Sequence, residues 1–487
     1  MKRQHFLLIG PLAGLLAGLL LAQHGSAPAL MAGITTWMAV WWISEAVPIA
    51  VTSLLPLVLF PLLGITGLAE TAANYGKEII FLFLGGFLLA LGIERSGLHR
   101  RIALHTVLLI GGTAPRLVLG MMVASALLSM WINSTATVLV MLPIALSLVE
   151  GLEDDRGRAR LAIPLLLGVS YGSSFGGMAT PVGTPPNLVL LQLWDELFPG
   201  RAPIGFGQWM AFGVPLALVL ILTSWWVLVH WLEPVRDVPL EERGLLQERL
   251  RKLGRPGRDE KLSGAIFLLV ALLWITGDGL SLGALELPGW RDIALWGRPW
   301  LAGVGDAAVA VAGAVLLFVL PTRAGGGERL MDWEWAERRV PWGVLLLIGA
   351  GMALALGIER SGLDAVIGGA FTGFATLPPA LMLLGLVLVV SLLSELGSNT
   401  ATASLVLPIL ARSSEAFGGD PVLLLVPATL AASLGFMLPI ASHMQTIIFA
   451  TGVVPVRRMV RAGLVMDLLG AVVLVALYLL LGRGVFG

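Results

Sequence analysis

The chain has 487 residues, 57% of them hydrophobic and 13% charged, with no cysteine and a formal net charge of +0. Soluble domains carry about 25% charged residues, so this composition, with a mean hydropathy of +0.89, reads as an all-α polytopic membrane protein in a lipid bilayer. It excludes disulfides and thiolate metal sites and gives no basis for a nucleic-acid partner.

Taken in order, the apolar segments predict eleven spans. The first, about 5–23, follows Lys2 and Arg3 and lacks a convincing cleavage site, so it reads as a retained span. The next are about 30–46, about 47–65 (opened by Pro48 and Pro56), about 76–94, a broken span about 161–200, and about 210–232. A charged linker, 233–263, holds a possible amphipathic surface helix at 241–253. The second half continues with about 264–276, 302–320, 343–359, a broken span about 420–455, and 463–482.

Two further apolar segments, 117–149 and 378–412, each carry a knot of small polar residues. The first knot runs from Ser129 to Thr137 and the second from Ser394 to Thr402, 265 residues later. Each arm is about 15 residues, short of the ~20 that a span needs, so both segments read as re-entrant hairpins. Basic residues mark the cytoplasmic face. They cluster at Lys2/Arg3, Arg95/Arg100/Arg101/Arg116, Arg156/Arg158/Arg160, the linker, Arg323/Arg329/Arg338/Arg339 and Arg457/Arg458/Arg461. Eleven crossings place all of these on one side, with the N-terminus cytoplasmic and the C-terminus outside. Basic flanks at both ends make the first hairpin cytoplasmic. Asp364, Glu415 and Asp420, with only Arg412 basic nearby, make the second an outer one.

The expected organisation is therefore an N-terminal span (1–29), a first inverted repeat (30–232), a cytoplasmic linker (233–263) and a second inverted repeat (264–487). The repeat is also literal: Leu89–Leu98 recurs unchanged as Leu354–Leu363. Its Glu94-Arg95 and Glu359-Arg360 pairs read as helix-end groups bound to neighbours.

Polar clusters at membrane depth mark sites, and matched interruptions in two halves mark a transporter's binding site. Hydroxyl, carboxamide and freed carbonyl oxygens suit Na⁺, while helix N-termini suit an anion. Each knot is followed by a helix that cannot continue. Gly176–Asn187 contains three glycines and three prolines, and Gly435–Gln445 is its counterpart.

Trp41–Pro48, both Thr-Ala-Thr tips, Gly183-Thr184-Pro185-Pro186-Asn187 and Gly435–Pro439 together resemble the divalent anion/sodium symporters, the dicarboxylate, citrate and sulfate carriers. The resemblance implies a homodimer whose protomers each hold a fixed scaffold and a transport domain moving as an elevator. It implies a first Na⁺ site at Ser129, Ile132, Ser134 and Gly183, and a second at Ser394, Gly397, Asn399 and Ala441. The anionic substrate would touch Asn133, Ser134, Thr135, Thr184, Pro185, Ser398, Asn399, Thr400, Ser442 and His443. Two departures stand out. The first tip reads Asn133-Ser134, the reverse of the family's Ser-Asn order, which removes an Asn oxygen from the first cation site or moves it to a neighbouring position. The second loop carries His443, a titratable group able to meet an extra substrate charge or a coupled proton.

The expected function is Na⁺-coupled import of a small divalent anion, a C4-dicarboxylate first, across the plasma membrane. An anion exchanger without net Na⁺ coupling is the near alternative. An intramembrane enzyme is the distant one: no His-Glu-x-x-His occurs, and nothing supplies an acid to orient a Ser/His dyad. Glu45 is a candidate as an intramembrane carboxylate. Asp306, His99, His105 and Trp41/Trp42 read as groups near span ends.

Overall fold

The computed structural model describes every residue except 1–2, 151–154, 236–242, 278–279, 283–284, 288, 294–300, 323–327, 372–377, 415–419 and 487. Lys2, Arg323 and Glu415, used above as topology markers, lie outside the described residues. The first half contains α1 (Arg3–Leu20), α2 (Ser26–Ser44), α3 (Ile49–Thr52), α4 (Leu55–Leu62), α5 (Leu68–Ala73), α6 (Glu78–Ser96), α7 (Leu98–Ile110), α8 (Ala114–Ser129), α9 (Ser134–Glu150), α10 (Asp155–Met178), α11 (Pro185–Leu197) and α12 (Phe206–Val227). The linker contributes α13 (Arg243–Lys252). The second half contains α14 (Arg258–Ile275), α15 (Asp306–Val319), α16 (Trp333–Glu337), α17 (Trp342–Ser361), α18 (Leu363–Phe371), α19 (Pro379–Glu395), α20 (Asn399–Ser413), α21 (Pro421–Ala431), α22 (His443–Ala450), α23 (Val456–Leu477) and α24 (Arg483–Phe486).

The protein is a helical membrane protein, as expected. One short antiparallel ladder, β1 (Leu280–Leu282) with β2 (Leu285–Leu287), interrupts the all-helical pattern between α14 and α15. Five helical runs among the described residues are long and apolar enough to cross a bilayer: Leu68–Ser96, Arg160–Met178, Phe206–Leu232, Trp342–Ser361 and Val456–Phe486. Proline and glycine cut the remaining apolar stretches into shorter helices, the hairpin arms among them.

The order α6 to α12 recurs as α17 to α23. Both α12 and α23 run on into a π-helical turn, Leu228–Leu232 and Tyr478–Gly482. The duplicated Ser-Gly-Leu explains another shared feature. Gly97 and Gly362 adopt φ of 81° and 72°, the left-handed conformation that ends a helix and that glycine accepts without strain. Each glycine turns the chain into a short helix, α7 or α18, where the sequence reading had only a connector. In α7 the basic residues Arg100 and Arg101 mask an apolar face. Ala103, Leu104 and Val107 are buried, and the helix packs on α8.

Two contiguous cores hold the molecule. The smaller centres on Met31, Met38, Trp42 and Phe60 with Leu347 and Leu354 of α17. The larger runs through both hairpins, both broken helices, α12 and α23. Within it α10 is wholly buried from Leu161 to Met178. Its Gly168, Gly172 and Gly176 recur every four residues and face α8, the small-residue spacing that lets membrane helices touch backbone to backbone. A Cβ on Gly172 would lie 2.3 Å from the Met122 carbonyl oxygen, and one on Gly176 2.3 Å from that of Ala126. A single added methyl therefore has to separate the two helices. Gly176→Ala is expected to destabilise the protein by about 1–3 kcal/mol, read as a lower melting temperature in detergent; an unchanged melt would mean that this contact is not tight.

Candidate functional site

Four helices begin at one cavity of about 600 Å³. The tip of the first hairpin brings Asn133, Ser134 and Thr135 to its wall, and the break after α10 brings Thr184 and Pro185. The second tip brings Ser398, Asn399 and Thr400, and the break after α21 brings Ser442 and His443. All ten residues expected to meet the substrate thus line one space. They surround the first turns of α9, α20 and α22, where backbone N–H groups have no partner within the helix, and that of α11, whose first two residues are prolines without an N–H.

Side chains of the same segments hold these breaks in place. Asn187 donates to the carbonyls of Gly177 (3.1 Å) and Thr180 (2.8 Å), which the helix no longer uses. The Trp209 indole donates to Met178 O at 3.0 Å, and Thr180 Oγ1 donates to Met130 O of the hairpin tip. In the second half Gln445 donates to Phe436 O at 3.3 Å and Ser391 donates to Leu434 O. Thr446 Oγ1 donates to Pro439 O at 2.7 Å. Glu395, 1% exposed, accepts the Met437 and Leu438 N–H groups, each at 2.8 Å.

Three of the four residues expected at the first cation site are packed together. Ser129 Oγ and Ser134 Oγ are 2.8 Å apart. A Cβ on Gly183 would fall 2.9 Å from Ser129 O and 2.6 Å from Gly177 O, so the loop approaches the tip as only glycine permits. Ile132 is buried and lines the cavity. At the second site Ser394 Oγ lies 2.9 Å from Asn399 Oδ1 and 2.6 Å from Ala432 O. The Gly397 N–H reaches Ser394 O at 3.4 Å. Ala441 is fully buried, in the loop that Glu395 grips. Both sites offer only oxygen, which suits a hard cation.

The exchanged Asn133-Ser134 pair has a structural answer. Asn133 Oδ1 accepts the Thr135 N–H at 2.8 Å and so caps α9. Ser134, in the position of Asn399, then meets the serine five residues before it, as Asn399 meets Ser394. The pairing survives with a hydroxyl in place of a carboxamide.

Two charged residues of the cavity wall were not expected, Glu94 and Arg339. Arg339 stacks on Trp335 at 4.2 Å from the ring centroid, and Arg95 approaches the same ring at 5.5 Å. Arg95 also pairs with Asp332. The Trp335 N–H, and after it Arg95, hold the Asp332 carboxyl below the usual carboxylate range. Their signal in the sequence was position: both adjoin the basic clusters at the ends of apolar segments. The other repeated Glu-Arg groups form ion pairs as expected, Arg360 with Glu70 and Arg412 with Glu359. Asp306 begins α15 and pairs with Arg291.

The residues read as span-end anchors divide. His99 is 3% exposed, with Nδ1 3.2 Å from Ile93 O, and Trp42 is buried, donating to Ser53 Oγ at 3.3 Å. Both are core groups. Trp41 donates to Phe6 O at 3.1 Å. Glu45 is not among the residues that line the cavity. It ends α2 with a φ of 45°, the one non-glycine in the left-handed region among the described residues.

The transmembrane-region model of the sodium:sulfate symporters matches residues 19–486. The chain is 36% identical over 493 residues to a sodium-dependent dicarboxylate transporter, SdcS, of Staphylococcus saprophyticus, covering 99% of this chain and 92% of that one. The Staphylococcus aureus protein of the same name is 37% identical over 482 residues, covering 96% and 89%. Two solved transporters share the fold at 17% identity. MtrF of Neisseria gonorrhoeae has a TM-score of 0.58, with 85% of this chain and 83% of that one covered. YdaH of Alcanivorax borkumensis has a TM-score of 0.57, with 86% and 90% covered.

Asn187→Ala leaves two buried carbonyls without a donor and is expected to destabilise the protein by about 1–3 kcal/mol. Thermal unfolding in detergent checks this; a melt equal to wild type would mean that other groups satisfy the break.

Proposed function

The chain belongs to the sodium:sulfate symporter family of membrane transporters, and from that premise we propose that it carries C4-dicarboxylates into the cell, coupled to Na⁺. The observation that carries this reading is the convergence of four helix starts and ten tip and loop residues on one cavity. Helix N-termini present unpaired N–H groups and positive dipole ends to an anion. Two such pairs, one from each half, suit a molecule with a carboxylate at each end. The oxygen clusters beside the tips, at Ser129, Ile132, Ser134 and Gly183 and at Ser394, Gly397, Asn399 and Ala441, each take one Na⁺. The cations neutralise the dianion at short range and stiffen the turns that bind it.

The relatives' names support both the cation and the substrate class. In this account the two halves (30–232 and 264–487) insert in opposite directions, and the hairpins enter from opposite faces. The N-terminus is cytoplasmic and the C-terminus lies outside. The cavity wall at Glu94 and Arg339 adjoins the basic clusters of Arg95, Arg338 and Arg339, so the cavity opens inward. Transport moves the hairpins and broken helices as a body against the smaller core of α2, α4 and α17, in a homodimer.

The test is uptake of labelled succinate, malate, citrate and sulfate into proteoliposomes. An imposed Na⁺ gradient is expected to drive accumulation of the C4 dianions. Uptake that needs internal counter-substrate and ignores Na⁺ would establish an exchanger instead. Asn399→Ala is expected to abolish Na⁺-dependent binding; unchanged affinity removes it from the site. His443→Gln is expected to weaken dianion binding several-fold without unfolding the protein, and an unaltered affinity would make His443 a bystander.

A further inference from the structure

Among the described residues three charged side chains are buried: Arg101, Glu395 and Asp467. Arg101 is paired with Glu260. Among the described residues no cationic side chain pairs with the other two. Asp467 projects from α23 and is 5% exposed. Its carboxyl lies beside that of Glu395 and against the Phe436 main chain, yet neither of its oxygens is in hydrogen-bonding geometry. A third oxygen comes from α10. Tyr171 is fully buried and packs edge-on against Phe436 at 4.9 Å. Its hydroxyl has no hydrogen-bond partner and feels the charge of Asp467, of Glu395 and, least, of Glu233.

The fold itself does not demand acids here. In the second half α23 lies on the broken loop through Gly463, where a Cβ would be 2.3 Å from Phe436 O. In the first half Gly213 of α12 makes the matching contact, 2.7 Å from Ala179 O and 3.0 Å from Met178 O. Counted from these glycines, the counterpart of Asp467 is Ala217. Counted from the tip serines, that of Glu395 is Met130. The same joint is therefore closed by apolar residues in one half and by two carboxyls in the other.

We propose that Glu395, Asp467 and Tyr171 form a third cation site, for Na⁺, behind the second hairpin tip. The proposal rests on the Na⁺-coupled reading above and extends it. Two carboxyls withdrawn from water cannot both stay ionised unless a cation lies between them; without one they share a proton, and the site proposed is the one in which Na⁺ takes that proton's place. The three donors are all hard oxygens, the set that takes Na⁺ rather than a transition metal. They come from three elements (α10, α19 and α23), so a bound ion ties the second hairpin to helices of both halves. Glu395 also holds the N–H groups of Met437 and Leu438. Occupancy of this site therefore fixes the loop that carries Ala441 and Ser442 to the tip and the substrate cavity.

The experiment is equilibrium binding of ²²Na⁺ to the purified full-length protein without substrate. Wild type is expected to bind three ions and Asp467→Asn two. Asn399→Ala, in the tip, is also expected to lose one, and the double variant to lose two. Tyr171→Phe removes one neutral donor and is expected to weaken one ion about tenfold, the equivalent of a single good interaction. Asp467→Ala copies the first-half residue and controls for folding. The proposal is overturned if Asp467→Asn binds as many ions as wild type, including the case in which it alters only the pH dependence, as a proton carrier would. It is overturned equally if the double variant loses no more than Asn399→Ala alone. Wild type binding no Na⁺ would overturn the coupled reading itself, and three ions falling to two only in the tip variant would overturn this site while leaving that reading intact.

Discussion

A helix broken inside a membrane leaves N–H and C=O groups that lipid cannot satisfy, and this chain interrupts its helices at four places around one point. The carbonyl ends of the two broken helices are met by protein. Asn187, Trp209, Gln445 and Ser391 donate to the oxygens set free at Gly177, Thr180, Met178, Phe436 and Leu434. The N-terminal ends fall at Ser134, Pro185, Asn399 and His443, and these open on the cavity; at α11 the prolines 185 and 186 carry no N–H, so that end contributes its dipole alone. The division has a chemical result. Electropositive groups collect where the cavity is, and electronegative ones are tied into the body around it. The proposed anion site, beside oxygen-lined cation pockets, rests on how the breaks are satisfied.

Most of this was legible before any coordinates. The polar knots and the proline-rich breaks stand out because such residues have no other reason to lie within apolar runs, and the repeat showed which of them to pair. What escaped was of two kinds. Helix α7 escaped because its charged residues interrupt the apolar pattern, and α18, nine residues long, because it is too short to stand out. Glu94 and Arg339 escaped because their role depends on which segment folds across the cavity mouth, and local sequence carries no trace of that. The Asn133-Ser134 exchange has a structural counterpart: the carboxamide serves as the cap of α9, and Ser134 meets Ser129.

Glu395 is instructive because it stood inside a quoted motif and was passed over. Its neighbours Ser394 and Gly397 drew attention as ligands, while the carboxylate looked like a helix end. Its value appears only with Asp467, on a helix 72 residues further along the chain, and with the loop N–H groups that it accepts. The near-symmetry of the two halves makes the difference visible: Met130 and Ala217 occupy the equivalent places without charge. The second half thus carries two carboxyls behind its tip where the first carries none, and the two hairpins are built alike without being identical.

The central claim is that both tips close on the same small dianion. The chain contains no cysteine, so Thr135→Cys and Thr400→Cys can each be labelled without background. The measurement is the rate of maleimide modification at each position in proteoliposomes, with Na⁺ alone and with Na⁺ plus succinate. The account predicts that succinate protects both positions over the same concentration range, and only when Na⁺ is present. Protection of one position without the other, or protection that ignores Na⁺, would contradict it.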